Sequence, residues 1–68
     1  MAEGYAVIEN GKIDVRTVSL TNRAAIVNWL VVNHDHKIYS NTTDHQIETL
    51  WKIEKGNASV VKVNITIN

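Results

Sequence analysis

The residues best suited to chemistry form a polar stretch in the middle of the chain. His34, Asp35 and His36 are consecutive, and Asp44 and His45 follow further along. Imidazole and carboxylate groups are ligands for zinc and other divalent metals, and in an extended segment His34 and His36 would point the same way. The alternative is a hydrated loop before a helix start, where Asp44 serves the helix dipole. Metal ligands usually lie closer together on defined elements, so we favour the loop and predict no metal and no cofactor.

No other catalytic arrangement is recognisable. The chain has no cysteine, its three glycines are scattered instead of forming a phosphate-binding loop, and no serine lies in a nucleophile elbow. No pair of carboxylates falls on a clear pocket wall, and histidines alone are a weaker basis for catalysis. We therefore predict that the protein is not an enzyme and has no catalytic residue.

Basic and aromatic side chains could form a platform on which nucleic-acid bases stack beside cationic groups. Seven basic residues balance seven acidic ones, so the chain lacks the basic excess typical of proteins that bind phosphate backbones. The alternative is ordinary solvated charge, diluted by Glu9 and Asp14. Nucleic-acid binding stays open, and the residues that would carry it are Lys12, Arg16, Arg23 and Lys62, with Tyr5 or Tyr39 nearby.

Two tryptophans, Trp29 and Trp51, are candidates for contact with another protein. Tryptophan is enriched at the energetic centres of interfaces, although most tryptophans are simply buried. Trp29 is predicted at the edge of the apolar stripe of a helix. It either flanks the core with its indole N–H towards water or anchors a partner.

A β-hairpin over residues 5–18 is the first element that could position these groups. Asn10-Gly11 separates two runs of strand-forming residues, and this dipeptide favours a type I′ hairpin turn. Residues 1–4 are predicted to be a loose end.

A single amphipathic helix is predicted from Ser19, its N-cap, to about Val32 or Asn33. Apolar residues recur at helical spacing, as expected for a helix that packs on a core. Ile38 and Tyr39, in the loop that follows, are predicted to fold back on that core. The apolar stripe comprises Leu20, Ala24, Ile26, Val27, Leu30 and Val31.

A second helix is predicted after Thr43, which with Gln46 resembles a capping box, and it ends before Gly56. The alternation of apolar and polar residues over 58–67 predicts a half-buried strand whose apolar side faces inward and whose polar side faces solvent. Its edge lacks proline and has one charge, so pairing with another chain stays open. The alternating residues are Val61, Val63, Ile65 and Ile67 against Lys62, Asn64 and Thr66.

These elements predict one small α+β domain over residues 1–68. We expect a two-layer sandwich of order β-β-α-α-β, in which both helices cover one face of a three-stranded sheet. Antiparallel helices would place the last strand beside the first and parallel to it, or else antiparallel beside the second. Of the two we prefer the first, because it places a strand containing Val and Ile in the centre of the sheet. A chain of 68 residues without disulfides has a small core, which favours association with itself or another chain.

Fold-forming stretches carry a resemblance to known proteins, at residues 5–8, 10–19 (NGKIDVRTVS), 24–30 (AAIVNWL), 50–51 and 60–67. Together they resemble a group of small uncharacterised proteins of proteobacterial phages and prophages. That group has proline and arginine around the start of the first helix, where this chain has Leu20 and Asn22. The resemblance implies a phage-related accessory role and no particular reaction.

These observations favour a non-enzymatic protein-binding module, in the concrete form of an inhibitor of a host defence complex, similar in role to an anti-CRISPR protein. A small nucleic-acid-associated phage regulator is the alternative. The expected partner is a host protein complex or a second copy, in the cytoplasm of the bacterial host. No membrane partner is predicted, because no apolar run reaches the length of a membrane span. The candidate contact residues are Arg16, Arg23, Trp29, Trp51 and Lys62.

Overall fold

The computed structural model describes residues 2–66 and confirms the predicted α+β fold. Its elements are β1 (Ala2–Glu9), β2 (Lys12–Ser19), α1 (Asn22–His34), α2 (Asp44–Glu54) and β3 (Ser59–Ile65). The sheet has the order β2-β1-β3. α1 packs on one face of the sheet, and α2 packs mainly against α1 and shares the same core.

The hairpin forms at the predicted turn. Asn10 and Gly11 have φ values of 52° and 77°, and a type I′ turn requires positive values at both central residues. β1 already begins at Ala2, so the prediction of a loose end is wrong for residues 2–4. Met1 lies outside the described residues.

A bulge in β2 interrupts its pairing with β1, and the hydroxyl of Thr17 bridges the gap. Val7 lies opposite Asp14 but Tyr5 lies opposite Ser19, so β2 contains extra residues between these two pairs. The backbone N–H of Val7 donates to Thr17 Oγ1 at 2.8 Å, and this hydroxyl donates to the Asp14 carbonyl at 2.6 Å. Thr17 is fully buried, so its hydroxyl stands in for a backbone hydrogen bond that water could not replace.

The first helix begins later than predicted. Its N-cap is Thr21, whose hydroxyl accepts a hydrogen bond from the Ala24 N–H at 3.1 Å. Ser19 is the last residue of β2 and accepts a hydrogen bond from the side-chain amide of Asn28 at 2.8 Å. Serine and threonine are both good caps, and Ser19 is excluded because it still pairs with β1.

The second helix begins and ends as predicted. The Thr43 hydroxyl accepts from the Gln46 N–H, and the Gln46 side chain accepts from the Thr43 N–H, which completes the capping box. Gly56 follows the helix with φ 51°, in the left-handed region that favours glycine.

The two helices run in the same direction, so the predicted antiparallel arrangement is wrong. Arg23 near the start of α1 pairs with Asp44 at the start of α2, and His34 at the end of α1 contacts Glu54 at the end of α2. The 13 residues of α1 span about 20 Å. Segment 35–43, extended at about 3.3 Å per residue, is long enough to return the chain to the start of α1.

β3 lies beside β1 as predicted, but it is antiparallel and not parallel to it. Because α2 ends at the same end of the molecule as α1, β3 starts near the hairpin turn. There, the side-chain amide of Asn57 donates to Asn10 Oδ1 at 3.3 Å. β3 then runs back along β1 until Ile65 lies opposite Ala2. Ile67, predicted in this strand, lies outside the described residues.

The core lies between the sheet and the helices. Every element except β2 contributes to it or borders it, and Ile38 of the return segment packs against it as predicted. Tyr39, Leu20 and Val31 are exposed instead of buried. The buried core residues are Val7, Trp29, Leu30, Ile47 and Ala58.

Replacing Thr17 should test how much the fold depends on its hydroxyl. Thr17→Val keeps the shape but leaves the Val7 N–H and the Asp14 carbonyl without partners, and a buried unpaired group costs about 1–3 kcal/mol. We expect the free energy of unfolding, measured by urea denaturation, to fall by about 2–4 kcal/mol. Thr17→Ser, which keeps the hydroxyl, should lose clearly less. Equal stability of the valine and serine variants would contradict this role.

Candidate protein-binding surface

The face of the sheet that points away from the helices is apolar. Val7 of β1 and Val60 of β3 lie opposite each other, and both pack on the helix side. Side chains alternate between the two faces of a strand, so the neighbouring Ala6, Ile8 and Val61 point away from the helices. This face therefore carries aliphatic side chains where a two-layer fold usually carries polar ones. Ile8 and Val61 are half-buried on it, and the small Ala6 between them is fully buried.

β2 extends the same face. Ile13 lies opposite Ile8, and Val18 precedes Ser19, whose hydroxyl faces Asn28 of α1. Ile13 and Val18 are 45% and 38% exposed. No helix or strand within residues 2–66 lies over this surface, which we call the outer sheet face. Its members are Ala2, Gly4, Ala6, Ile8, Ile13, Val18, Val61, Val63 and Ile65, with Ser59 as a polar neighbour.

The two sides of β3 are therefore the reverse of those predicted. Val61, Val63 and Ile65 were expected to face the helices, but they share the outer face with Ala6, Gly4 and Ala2. Lys62 and Asn64 lie on the helix side, opposite Tyr5 and Glu3, and both are exposed. Alternation correctly predicted the strand, but it could not say which side meets the core, because Ala58 and Val60 supply the core contacts.

On the outer sheet face, the Ile65 side chain packs directly against Gly4. A Cβ atom at this position would lie 2.5 Å from Ile65 Cδ1 and 2.8 Å from the backbone oxygen of Ser19. Gly4 thus lets the Ile65 side chain lie flat across the central strand, which smooths this part of the surface.

Trp29 is a core residue and not a surface residue. It is 1% exposed, and Trp51 packs edge-on against it with ring centroids 5.1 Å apart. The predicted position of Trp29 at the edge of the core is therefore wrong, and its side chain is not available to a partner in this fold. Trp51 is half-buried and presents only part of its ring.

Arg16 is held by Asp14. The guanidinium forms two hydrogen bonds of 3.1 Å with the Asp14 carboxylate, and the side-chain amide of Asn33 in α1 donates to the same carboxylate at 2.9 Å. The Arg16 side chain contributes most, and Asn33 next, to lowering the pKa of Asp14 from 3.8 to about 2. The cluster fastens the bulged strand to the last turn of α1.

The other candidate basic residues are dispersed. Arg23 pairs with Asp44, and Lys12 lies opposite Glu9. Lys62 is on β3, at the opposite edge of the sheet from Lys12 and Arg16. The structure therefore does not bring Lys12, Arg16 and Lys62 together on one open face.

His34 and His36 converge, but on Glu54 and not on Asp44. His34 Nδ1 and His36 Nε2 lie 2.8 Å and 3.4 Å from the same carboxylate oxygen, Glu54 Oε2. His45 belongs to the first turn of α2, at its other end. Within residues 2–66, no group of three or more His, Cys, Asp or Glu residues is arranged to hold a metal ion. The cluster instead joins the C-terminal ends of the two helices.

Comparison with other proteins assigns no family: no family model, curated protein or solved structure matches the chain. The resemblance to small phage proteins thus stays a prediction. Across the part of the chain that the structure describes, no helix has the length and apolar character needed to cross a membrane.

The pH dependence of stability should reveal the Asp14 cluster. The lowered pKa of Asp14 means that its ionised form stabilises the fold above pH 3.8, and this contribution is lost as pH falls towards 2. Asp14→Asn should therefore be less stable than wild type at pH 7, and the difference in unfolding free energy should shrink between about pH 4 and pH 2. Urea denaturation at several pH values measures it. A difference that is constant over this range would rule out the ionised pair as its source.

Proposed function

We propose that this protein is a non-enzymatic protein-binding module that contacts its partner through the outer sheet face. The observation that supports the proposal is the uncovered aliphatic surface formed by all three strands. Exposed apolar patches of a few hundred Å² often mark sites of protein interaction. Burial of aliphatic side chains is the main favourable term in such association.

The outer sheet face alone is smaller than a standard protein interface. Three strands at about 4.8 Å spacing and about 20 Å of strand length give about 300 Å². A standard interface buries about 800 Å² on each partner, so contact must extend beyond the face. The β2 side offers further apolar surface, since Val15 and Leu20 are 78% and 71% exposed.

The resemblance to small phage proteins supports a host protein as the partner. A chain with no net charge suits a protein surface better than a phosphate backbone. An inhibitor of a host defence complex is the concrete form that we propose, because such an inhibitor acts by occupying a surface and needs no catalytic group.

The nucleic-acid alternative has less support. Arg16 and Arg23 are each paired with a carboxylate, and Lys62 is separated from Lys12 by the width of the sheet. A phosphate backbone would have to compete with Asp14 and Asp44 for the two guanidinium groups.

A charge placed on the outer sheet face should abolish partner binding. In Ile13→Lys, an ammonium group replaces an aliphatic side chain that is 45% exposed, so the fold should survive while a desolvated interface would not tolerate the charge. We expect capture of the partner from a proteobacterial host extract, quantified by mass spectrometry, to fall by at least about tenfold. The same variant should lose inhibition of host defence in a phage plaque assay.

Val32→Lys is the matched control. Val32 lies on α1, in the other layer, and is 42% exposed, close to the value for Ile13. It should capture the partner as wild type does. Equal capture by Ile13→Lys and wild type, with both chains folded by circular dichroism, would exclude the outer sheet face as the binding surface.

A further inference from the structure

The two edges of the sheet differ in their capacity to pair with another strand. β2 forms one edge, and its bulge breaks the regular spacing of outward backbone groups. The Arg16 N–H is also taken by the Asp14 carboxylate, at 3.0 Å. β3 forms the other edge and pairs with β1 without a break from Ser59 to Ile65. Of these two edges, only that of β3 is a regular template for a further strand.

The direction of the backbone groups on β3 follows from one hydrogen bond. The Val7 N–H points towards β2, because it donates to Thr17. In an antiparallel sheet, successive residues point their N–H and C=O groups to alternate sides. Val60, opposite Val7, therefore points its backbone groups away from β1, and so do Lys62 and Asn64. Within residues 2–66, no strand pairs with these groups.

We propose that a second copy of the chain pairs with this edge, β3 against β3, about a two-fold axis at Val63. The two sheets then form one continuous antiparallel sheet. Val63 faces its own copy, and Lys62 of each chain lies opposite Asn64 of the other. On the outer face, Val61 lies opposite Ile65, so apolar side chains meet apolar ones.

The side chains of β3 and the position of its end together favour this register among the symmetric ones. An axis at Lys62 would place two ammonium groups opposite each other, which is unfavourable. An axis at Val61 would place Ser59 opposite Val63 and Lys62 opposite Val60. Axes at Asn64 or Ile65 would also match side chains by polarity, but they would keep fewer pairs within β3, which ends at Ile65. The axis at Val63 pairs residues 61–65 entirely within the strand and matches each pair by polarity, and the Lys62–Asn64 pairs fall at hydrogen-bonded positions.

The dimer also enlarges the surface used by the proposed function. Two outer sheet faces joined along β3 would present about 600 Å² of continuous apolar area. This consequence rests on the proposed function, whereas the pairing of the two β3 edges does not depend on it.

Sedimentation of the full chain over a concentration series tests the proposal first. Wild type should approach twice the 7.6 kDa chain mass. A monomer at every concentration would overturn the dimer. Were Ile13→Lys still to lose host-protein capture in that case, the proposed function would stand without it. A dimer that captures no host protein would support the pairing through β3 and overturn the proposed function.

A single cysteine tests the axis, because the chain has no cysteine of its own. Val63 is a non-hydrogen-bonded position in the proposed pair, where Cβ atoms are close enough for a disulfide. Val63→Cys should therefore form a covalent dimer under mild oxidation. Val61→Cys, on the same face and strand but opposite Ile65, should form it at least about tenfold more slowly. Equal or faster crosslinking of Val61→Cys would overturn the register.

Amide exchange of the wild type covers the case in which a cysteine variant fails to fold. The outward amides of Lys62 and Asn64 should gain protection as concentration rises. The amide of Ile13, which points outward from the β2 edge, should not. Concentration-dependent protection of Ile13 instead of Lys62 and Asn64 would overturn pairing through β3.

Discussion

The fold depends on one threonine hydroxyl in the plane of the sheet. Thr17 Oγ1 accepts a hydrogen bond from the Val7 N–H and donates one to the Asp14 carbonyl. It thereby completes the hydrogen bonding between β1 and β2 where the bulge interrupts their backbone pairing. With that gap closed, the Asp14 side chain turns to the helix side and binds Asn33, while Ser19 binds Asn28. α1 is thus fastened to the irregular edge strand at its middle, through Asn28, and in its last turn, through Asn33. The regular pairing of the sheet is left to β1 and β3.

Much of the secondary structure could be predicted from local chemistry. Asn10-Gly11 and the Thr43–Gln46 capping box act over a few residues, and both elements form where the sequence placed them. The relative direction of the two helices could not be predicted. The residue types in segment 35–43 do not distinguish a tight turn, which would make the helices antiparallel, from a connection that runs back along α1 and makes them parallel. The parallel placement of β3 was wrong for the same reason. Ser19 was mistaken for a cap, because the bulge that lengthens β2 has no local signature.

The candidate surface was harder to predict than the fold. Period-two alternation in residues 61–65 marks a strand with one apolar side, but the core takes Val60 and Ala58 instead. A signal was present in the small residues of β1. Gly4 and Ala6 alternate on one side of the central strand, which is typical of a face where neighbouring side chains close over the backbone. Trp29 was placed too far from the core, although a large aromatic residue on an amphipathic helix is more often buried than in contact with a partner.

The central position of β1 has a consequence for synthesis on the ribosome. Ala2 pairs with Ile65, so the strand made first waits for the strand made last before its second edge is closed. Until then the hairpin offers an open backbone edge beside Ala6 and Ile8, and neither helix has a complete sheet beneath it. The nascent chain therefore cannot gain stability piece by piece.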